Sequence, residues 1–280
     1  MLALLAAAAP PSPPAVMMNH VFVTPDAATY AAIAGSSFLR GQFAAMEERT
    51  TVRRDTTYTG LYVYGDNTYI EIGQRRNFAP AGTTGVGLSV DRASDLPALQ
   101  ARFAARLGNR GETARITRAD VSGKQVPWFT ELSIPYNTGQ TFGIFIMAYD
   151  SRFLAQWYPQ YPPSPGSTTR AASLDRYVAK IGKTSVKDNG IFKDVEGVEL
   201  SGSLPRKLCT ALSATVSSST AHGAGSCALG ETTLSFSGAG SLQVCTLVLK
   251  LKRQEPNLTV HFGRSVLHLS GLRGWWSFCS

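Results

Sequence analysis

Few residues in this 280-residue chain are equipped for chemistry: it holds four histidines and four cysteines. Their spacing excludes the common short catalytic signatures. No Cys-x-x-Cys, His-Glu-x-x-His, Gly-x-Ser-x-Gly or phosphate-binding loop occurs, so dithiol redox, zincin, esterase and nucleotide-hydrolysis chemistries have no anchor. Gly85-Val86-Gly87 lacks the third glycine of a dinucleotide-binding turn. His222 lies near Cys227 in the small-residue run SSSTAHGAGSC, but no third group orients a nucleophilic pair there, and the run reads as a loop. His261 and His268 flank Gly263 on adjacent strand-like runs, where structural histidines are the ordinary case. There remain His20, which opens the apolar run HVFV, and Glu71 in TYIEIG. Alternation places His20, Phe22 and Thr24 on one strand face, and Tyr69 and Glu71 on one face of another. Ile70 and Ile72 then take the opposite, buried face.

The elements that must position these residues follow a repeated grammar: a short β-patterned run, a capping residue, then a helix with Pro in its first turn. The first copy is His20-Val21-Phe22-Val23, Thr24-Pro25 and AATYAAIAG. The second is Gly85 to Val90, Ser94-Asp95-Leu96-Pro97 and ALQARFAARL, where Leu96, Leu99, Phe103 and Leu107 share one helical face. The third is Gly197 to Leu200, Ser201 to Pro205 and RKLCTAL. Strand-like runs come after each helix. Those of the first copy, TGLYVY and TYIEI, flank a Gly65-Asp66-Asn67 turn and predict a hairpin. In the third copy the expected strands are 232–236, 242–251, 258–262 and 265–269. Glu47-Glu48-Arg49 reads as the solvated end of the first helical region.

Paired β-α-β-β-β units opening with strands such as NHVFVT and VGLSVD resemble the vicinal oxygen chelate (glyoxalase-like) superfamily. That resemblance implies an α+β fold in which tandem modules form a half-open, cup-shaped mixed sheet, joined by a second, similar but degenerate C-terminal domain. The corresponding division is 1–18, an Ala/Pro-rich leader; 19–150, the paired modules; 151–193, a Pro-rich linker and helix; and 194–280, a basic, degenerate module. It also implies a divalent metal in the cup, held by a residue at the start of a module's first strand and a carboxylate on its last strand. His20 and Glu71 stand at those positions, and an imidazole with a carboxylate suits Zn, Fe, Mn or Ni. The second module departs from the pattern, offering Gly85 or Gly87 and Met147 or Ala148. Completing the set falls to Asp150, Glu131 or another residue. Tyr62, Tyr64, Tyr69, Trp128, Tyr136 and Phe145 would wall a cup for an organic ligand, with or without metal.

Composition sets the outer bounds. With 44% hydrophobic and 16% charged residues the chain is a packed protein rather than a disordered one. After the first nine residues no apolar run approaches the ~18 needed to cross a bilayer. Residues 1–150 carry 13 Lys/Arg against 12 Asp/Glu, and residues 151–280 carry 14 against 7. The excess cations of the second part are scattered, which gives nucleic acid no defined patch. MLALLAAAA followed by PPSPPAV has the apolar core and small-residue zone of a secretory signal, although no basic residue precedes it, so a periplasmic or secreted protein is expected, or a cytoplasmic one if the segment is not a signal. Cys209, Cys227, Cys245 and Cys279 allow three pairings if oxidised, or buried thiols if not. The functional expectation is small-molecule binding or metal-assisted turnover in the cup, against a non-catalytic binding or sequestration protein of the cell envelope.

Overall fold

A computed structural model describes residues 16–74, 79–134, 141–150, 152–153, 169–213, 225–237 and 241–279. Residues 1–15, expected as an Ala/Pro-rich leader, Tyr136, the Pro-rich run 159–166 and His222 lie outside these residues.

Period-two alternation produces a mixed α+β molecule dominated by strands. Its first half contains β1 (Met17–Val23), α1 (Ala27–Ala34), β2 (Ala45–Val52), β3 (Thr57–Tyr64) and β4 (Tyr69–Gly73). There follow β5 (Thr84–Ser89), α2 (Leu96–Leu107), β6 (Thr113–Ala119), β7 (Gln125–Ser133) and β8 (Phe142–Tyr149). These eight strands form one sheet in the order β2-β3-β4-β1-β5-β8-β7-β6. β1 runs parallel to β4 and β5 parallel to β8, while β1 and β5 meet antiparallel at the centre. The sheet curls into a half-barrel far enough for its two edges to touch, through an antiparallel bridge between Arg53 and Arg118.

The second half supplies α3 (Arg170–Lys180), α4 (Thr184–Asn189), β9 (Phe192–Ser201), α5 (Arg206–Ser213), β10 (Ser226–Leu229), β11 (Thr232–Ser237), β12 (Gln243–Phe262) and β13 (Ser265–Ser277). Its sheet has the order β10-β11-β9-β12-β13. β9 is parallel to β11 and antiparallel to β12. The strands expected at 242–251 and 258–262 are one element, β12. Register shifts between Lys250 and Leu258 bend this strand without ending it, and Pro256 falls in that irregular stretch, where a missing N–H costs no ladder bond.

The convex face of the half-barrel and the second sheet share one core. Val21, Ile70, Ile72, Val86 and Leu88 from the first sheet join Ile33, Leu99, Phe103 and Leu208 from helices, and Val198, Leu247 and Leu249 from the second sheet. Phe43 stacks on Phe192 and meets Trp276 edge-on. Asp194 of β9 reaches into the β3–β4 turn and accepts from Asn67 N at 2.7 Å and Thr68 N at 2.8 Å. Helix α1 is capped by Asp26, whose Oδ1 accepts from Ala28 N and Thr29 N. Pro25 therefore precedes the cap instead of lying in the first turn.

The concave face holds a second apolar cluster, where Tyr62, Tyr64, Tyr69, Trp128, Met147 and Tyr149 pack with Leu174, Tyr177 and Val178 of α3. Helix α3, expected as part of a linker, plugs one side of the cup. Leu174, Tyr177 and Val178 at i, i+3 and i+4 form its buried stripe. Glu47-Glu48-Arg49 is no solvated helix end: it lies within β2, with the Glu47 and Arg49 side chains largely buried.

Candidate functional site

The parallel β1–β4 register sets His20 beside Tyr69 and Phe22 beside Glu71. Alternation turns His20 and Glu71 to the concave side, leaving Nε2 of His20 3.9 Å from Oε2 of Glu71. Both residues are buried, at 4% and 6% exposure. The imidazole stacks on Tyr69, with centroids 4.6 Å apart and planes 12° apart, and meets Phe145 edge-on. Its orientation depends on the opposite strand. Gly87 pairs with His20 across β1–β5, and a Cβ at Gly87 would stand 2.1 Å from His20 Cε1. Gly85 likewise leaves room for the Phe22 ring. The two glycines that offered no ligand chemistry in the sequence are the floor on which the His20 and Phe22 rings lie.

The protonation states follow from the surroundings. His20 Nδ1 lies 2.9 Å from Oδ1 of Asn19, whose side chain also hydrogen-bonds the Tyr149 hydroxyl. A carbonyl oxygen only accepts, so Nδ1 carries the proton and Nε2 presents its lone pair toward Glu71. Burial lowers the His20 pKa to about 3, so the ring is neutral at physiological pH. Burial also raises Glu71 to about 6, against a hydrogen bond from Tyr62 and the fields of Arg49 and Arg118. Near neutral pH the close pair is therefore a lone pair facing a carboxylate, two acceptors with no proton to share. Glu71 Oε1 and the Trp128 indole nitrogen are buried without a hydrogen-bond partner among the described residues.

These groups open onto a cavity of about 310 Å³. His20, Glu71, Tyr69, Trp128 and Phe145, five of the residues expected at the site, line it together with Glu131. Tyr62 and Tyr64 do not line it. They point to the same side of the sheet, but Tyr64 stacks on Tyr177 of α3 and is covered there. Asp150 is engaged by Arg152 at 3.2 Å. Residues that sequence reasoning missed complete the cup. Arg49 lies over the Tyr62 ring at 3.9 Å, donates to the Tyr64 hydroxyl and pairs with Glu47. Arg118 lies over Trp128 at 4.8 Å, and Arg53, at the cavity edge, is held by both oxygens of Asp55. The alternation of β2 and β6 placed Arg49 and Arg118 on the concave side, but nothing local announced that they would lie over aromatic rings.

Residues 18–278 match the model of a family of unknown function, DUF5829. The chain belongs to this family. No curated protein matches it. Among solved structures, a hypothetical protein from Staphylococcus aureus is similar over 88% of this chain and 95% of its own, at 8% identity and a TM-score of 0.52, a likeness of fold. A xylose isomerase-like TIM barrel/4-hydroxyphenylpyruvate dioxygenase fusion protein matches over 82% of this chain and 34% of its own, at 12% identity and a TM-score of 0.35.

For this DUF5829 chain the donor set decides how far a metal fits. One imidazole nitrogen and one carboxylate converge, and the Asn19 side-chain carbonyl holds the other imidazole nitrogen, as is usual for histidines that bind metals. Among the described residues no three of His, Cys, Asp and Glu gather at one point. Where a third donor would stand, the second half of the sheet offers Gly87, Phe145 and Met147. Two protein donors fall short of the three that a catalytic centre ordinarily supplies.

Proposed function

We propose that this protein binds a small organic ligand in the cup of the half-barrel, with His20 and Glu71 as its polar anchor and Tyr69, Trp128 and Phe145 as its walls. The observation that carries this reading is the facing pair of acceptors, His20 Nε2 and Glu71 Oε2 at 3.9 Å, buried at the wall of a 310 Å³ cavity. Tyr62 meets part of the Glu71 carboxylate, but Glu71 Oε1 has no donor among the described residues, and a desolvated acceptor costs free energy unless a donor meets it. The like wiring of β1–β4 and β5–β8 supports reading them as glyoxalase-like modules. The pairing of Cys209 with Cys227 and of Cys245 with Cys279, together with the leader, supports an oxidising, exported location.

The test is calorimetry with a panel of small aromatic compounds in EDTA. Micromolar to millimolar binding that persists in EDTA and falls about tenfold or more in Tyr69→Ala is expected. A panel that produces no saturable heat, or heat unchanged in Tyr69→Ala, would overturn the reading. The oriented imidazole also favours a second reading, in which the ligand itself completes the coordination of a divalent ion. Elemental analysis of protein purified without chelator decides it. One ion per chain, lost in His20→Ala and Glu71→Ala, would establish it, and sub-stoichiometric metal unchanged in both would exclude it.

A further inference from the structure

Resting on the cup as the binding site, we propose that its ligand class is the organic monocation: an alkyl- or arylammonium, or an amidinium, whose charged head sits between the aromatic rings and Glu71. Three independent features of the cavity point the same way. Glu71 Oε1 is buried, accepts no hydrogen bond among the described residues, and lies on the cavity wall. A second carboxylate, Glu131, lines the same cavity. The rings of Phe22, Tyr69, Trp128, Phe129 and Phe145 supply the rest of the wall, and aromatic faces attract a cation through their quadrupole.

The alternatives are poorer matches to this wall. An anionic ligand would need a free cation in the cavity, but among the described residues the one guanidinium lining it, Arg53, is engaged bidentately by Asp55 at 3.0 Å. A neutral donor could satisfy Glu71 or His20, but it would bring no charge to the second carboxylate, Glu131, whose partial burial is opposed by the field of Arg53. The cup already handles cations in this manner, since Arg49 stands over Tyr62 and Arg118 over Trp128. A cationic ligand extends to the open part of the cup what the chain's own guanidinium groups do in its closed part. The Phe22 and His20 rings lie so close over Gly85 and Gly87 that a Cβ at either glycine would overlap them.

Calorimetry on the intact protein, with choline, phenyltrimethylammonium, the neutral tert-butyl analogue of choline, and benzoate, tests the proposal. The cations are expected to bind at least about tenfold more tightly than the neutral analogue, and benzoate not at all. The near-isosteric variants Glu71→Gln and Trp128→Phe, checked for native folding by circular dichroism, should each weaken phenyltrimethylammonium by about tenfold. Equal binding of choline and its neutral analogue, sensitive to Tyr69→Ala, would overturn the cation class while leaving the cup as the binding site. Cation binding unaffected by both near-isosteric variants would locate it elsewhere, such as the cavity beside Asp26 and Arg264, and would overturn it too. Absence of binding by all four compounds would overturn it, and the aromatic panel in EDTA then reports separately on the cup.

Discussion

At the scale of single residues, the His20–Gly87 contact is the sharpest constraint. Replacing Gly87 by Ala puts a methyl 2.1 Å from the imidazole, and overpacking of that kind costs about 1–3 kcal/mol. Chemical denaturation should show that loss for Gly87→Ala, and a smaller one when the substitution is made in a His20→Ala background. The titrations act in opposite directions. His20 is held at about 3, so between its ordinary 6.5 and 3 the unfolded chain binds the proton more strongly, and stability falls as pH falls through that window. Glu71 is held at about 6, so the fold binds its proton more strongly than the unfolded chain does, and stability falls as pH rises from 4.5 through 6. Denaturation curves across this range should therefore show Glu71→Gln more stable than the parent at neutral pH by about 1–2 kcal/mol. His20→Leu should flatten the acid limb. A Glu71→Gln protein less stable at neutral pH would mean that the carboxylate is better solvated than its burial implies. Alternation showed which strand face His20 takes and which face Glu71 takes, but their meeting was expected only from the glyoxalase-like resemblance, because alternation does not say that β1 pairs with β4. The burial of Arg49 was not legible, because the charged run EERTTV looks solvated until the rings of Tyr62 and Tyr177 are brought over it from other elements.

At the scale of elements, α3 and the Asp194 contact decide the shape of the cup. Tyr177 fills the concave face by stacking on Tyr64 and by packing against Phe153 and the Arg49 guanidinium. Truncating a buried aromatic of this kind costs about 3–5 kcal/mol. Tyr177→Ala should lower the unfolding free energy by that order and uncover Tyr64 to a bound ligand, seen as a changed ligand selectivity in calorimetry. An unchanged stability would show that α3 does not pack as described. Asp194→Ala removes four acceptor contacts to Asn67 and Thr68 that pin the β3–β4 turn to the second sheet, and should cost about 2–3 kcal/mol. The hairpin β3–β4 and the stripe of α2 were readable because local turn chemistry and period fix them. The role of α3 was not, because its three-residue stripe says only that it packs somewhere, and its partners come from separate strands as distant in the chain as Tyr64 and as near as Tyr149.

At the scale of the whole molecule, the near-neutral and basic parts of the chain are not independent bodies hung on a linker. They share one apolar core, and hydrogen bonds such as that from Val244 N to the Thr84 hydroxyl at 2.9 Å cross between their sheets. Both disulfides lie in the basic part, where Cys245–Cys279 secures the last strand with a sequence separation of 34. Replacing that pair by serine should lower stability by about 3–4 kcal/mol, read from denaturation with and without reductant. A mixed α+β molecule with a curled sheet was visible in the alternating runs and the helix caps between them. The shared core was not, since apolar positions in a strand do not say which neighbour they will meet. The central claim is that an organic ligand enters the cup between Trp128 and the His20–Glu71 pair. Its most direct test is a titration of isotopically labelled protein with phenyltrimethylammonium and with the neutral aromatic panel, following the Trp128 indole N–H resonance identified through Trp128→Phe. The account predicts a saturable shift of that resonance that disappears in Tyr69→Ala; an indole signal unmoved by every compound, or one moved equally in Tyr69→Ala, would contradict it.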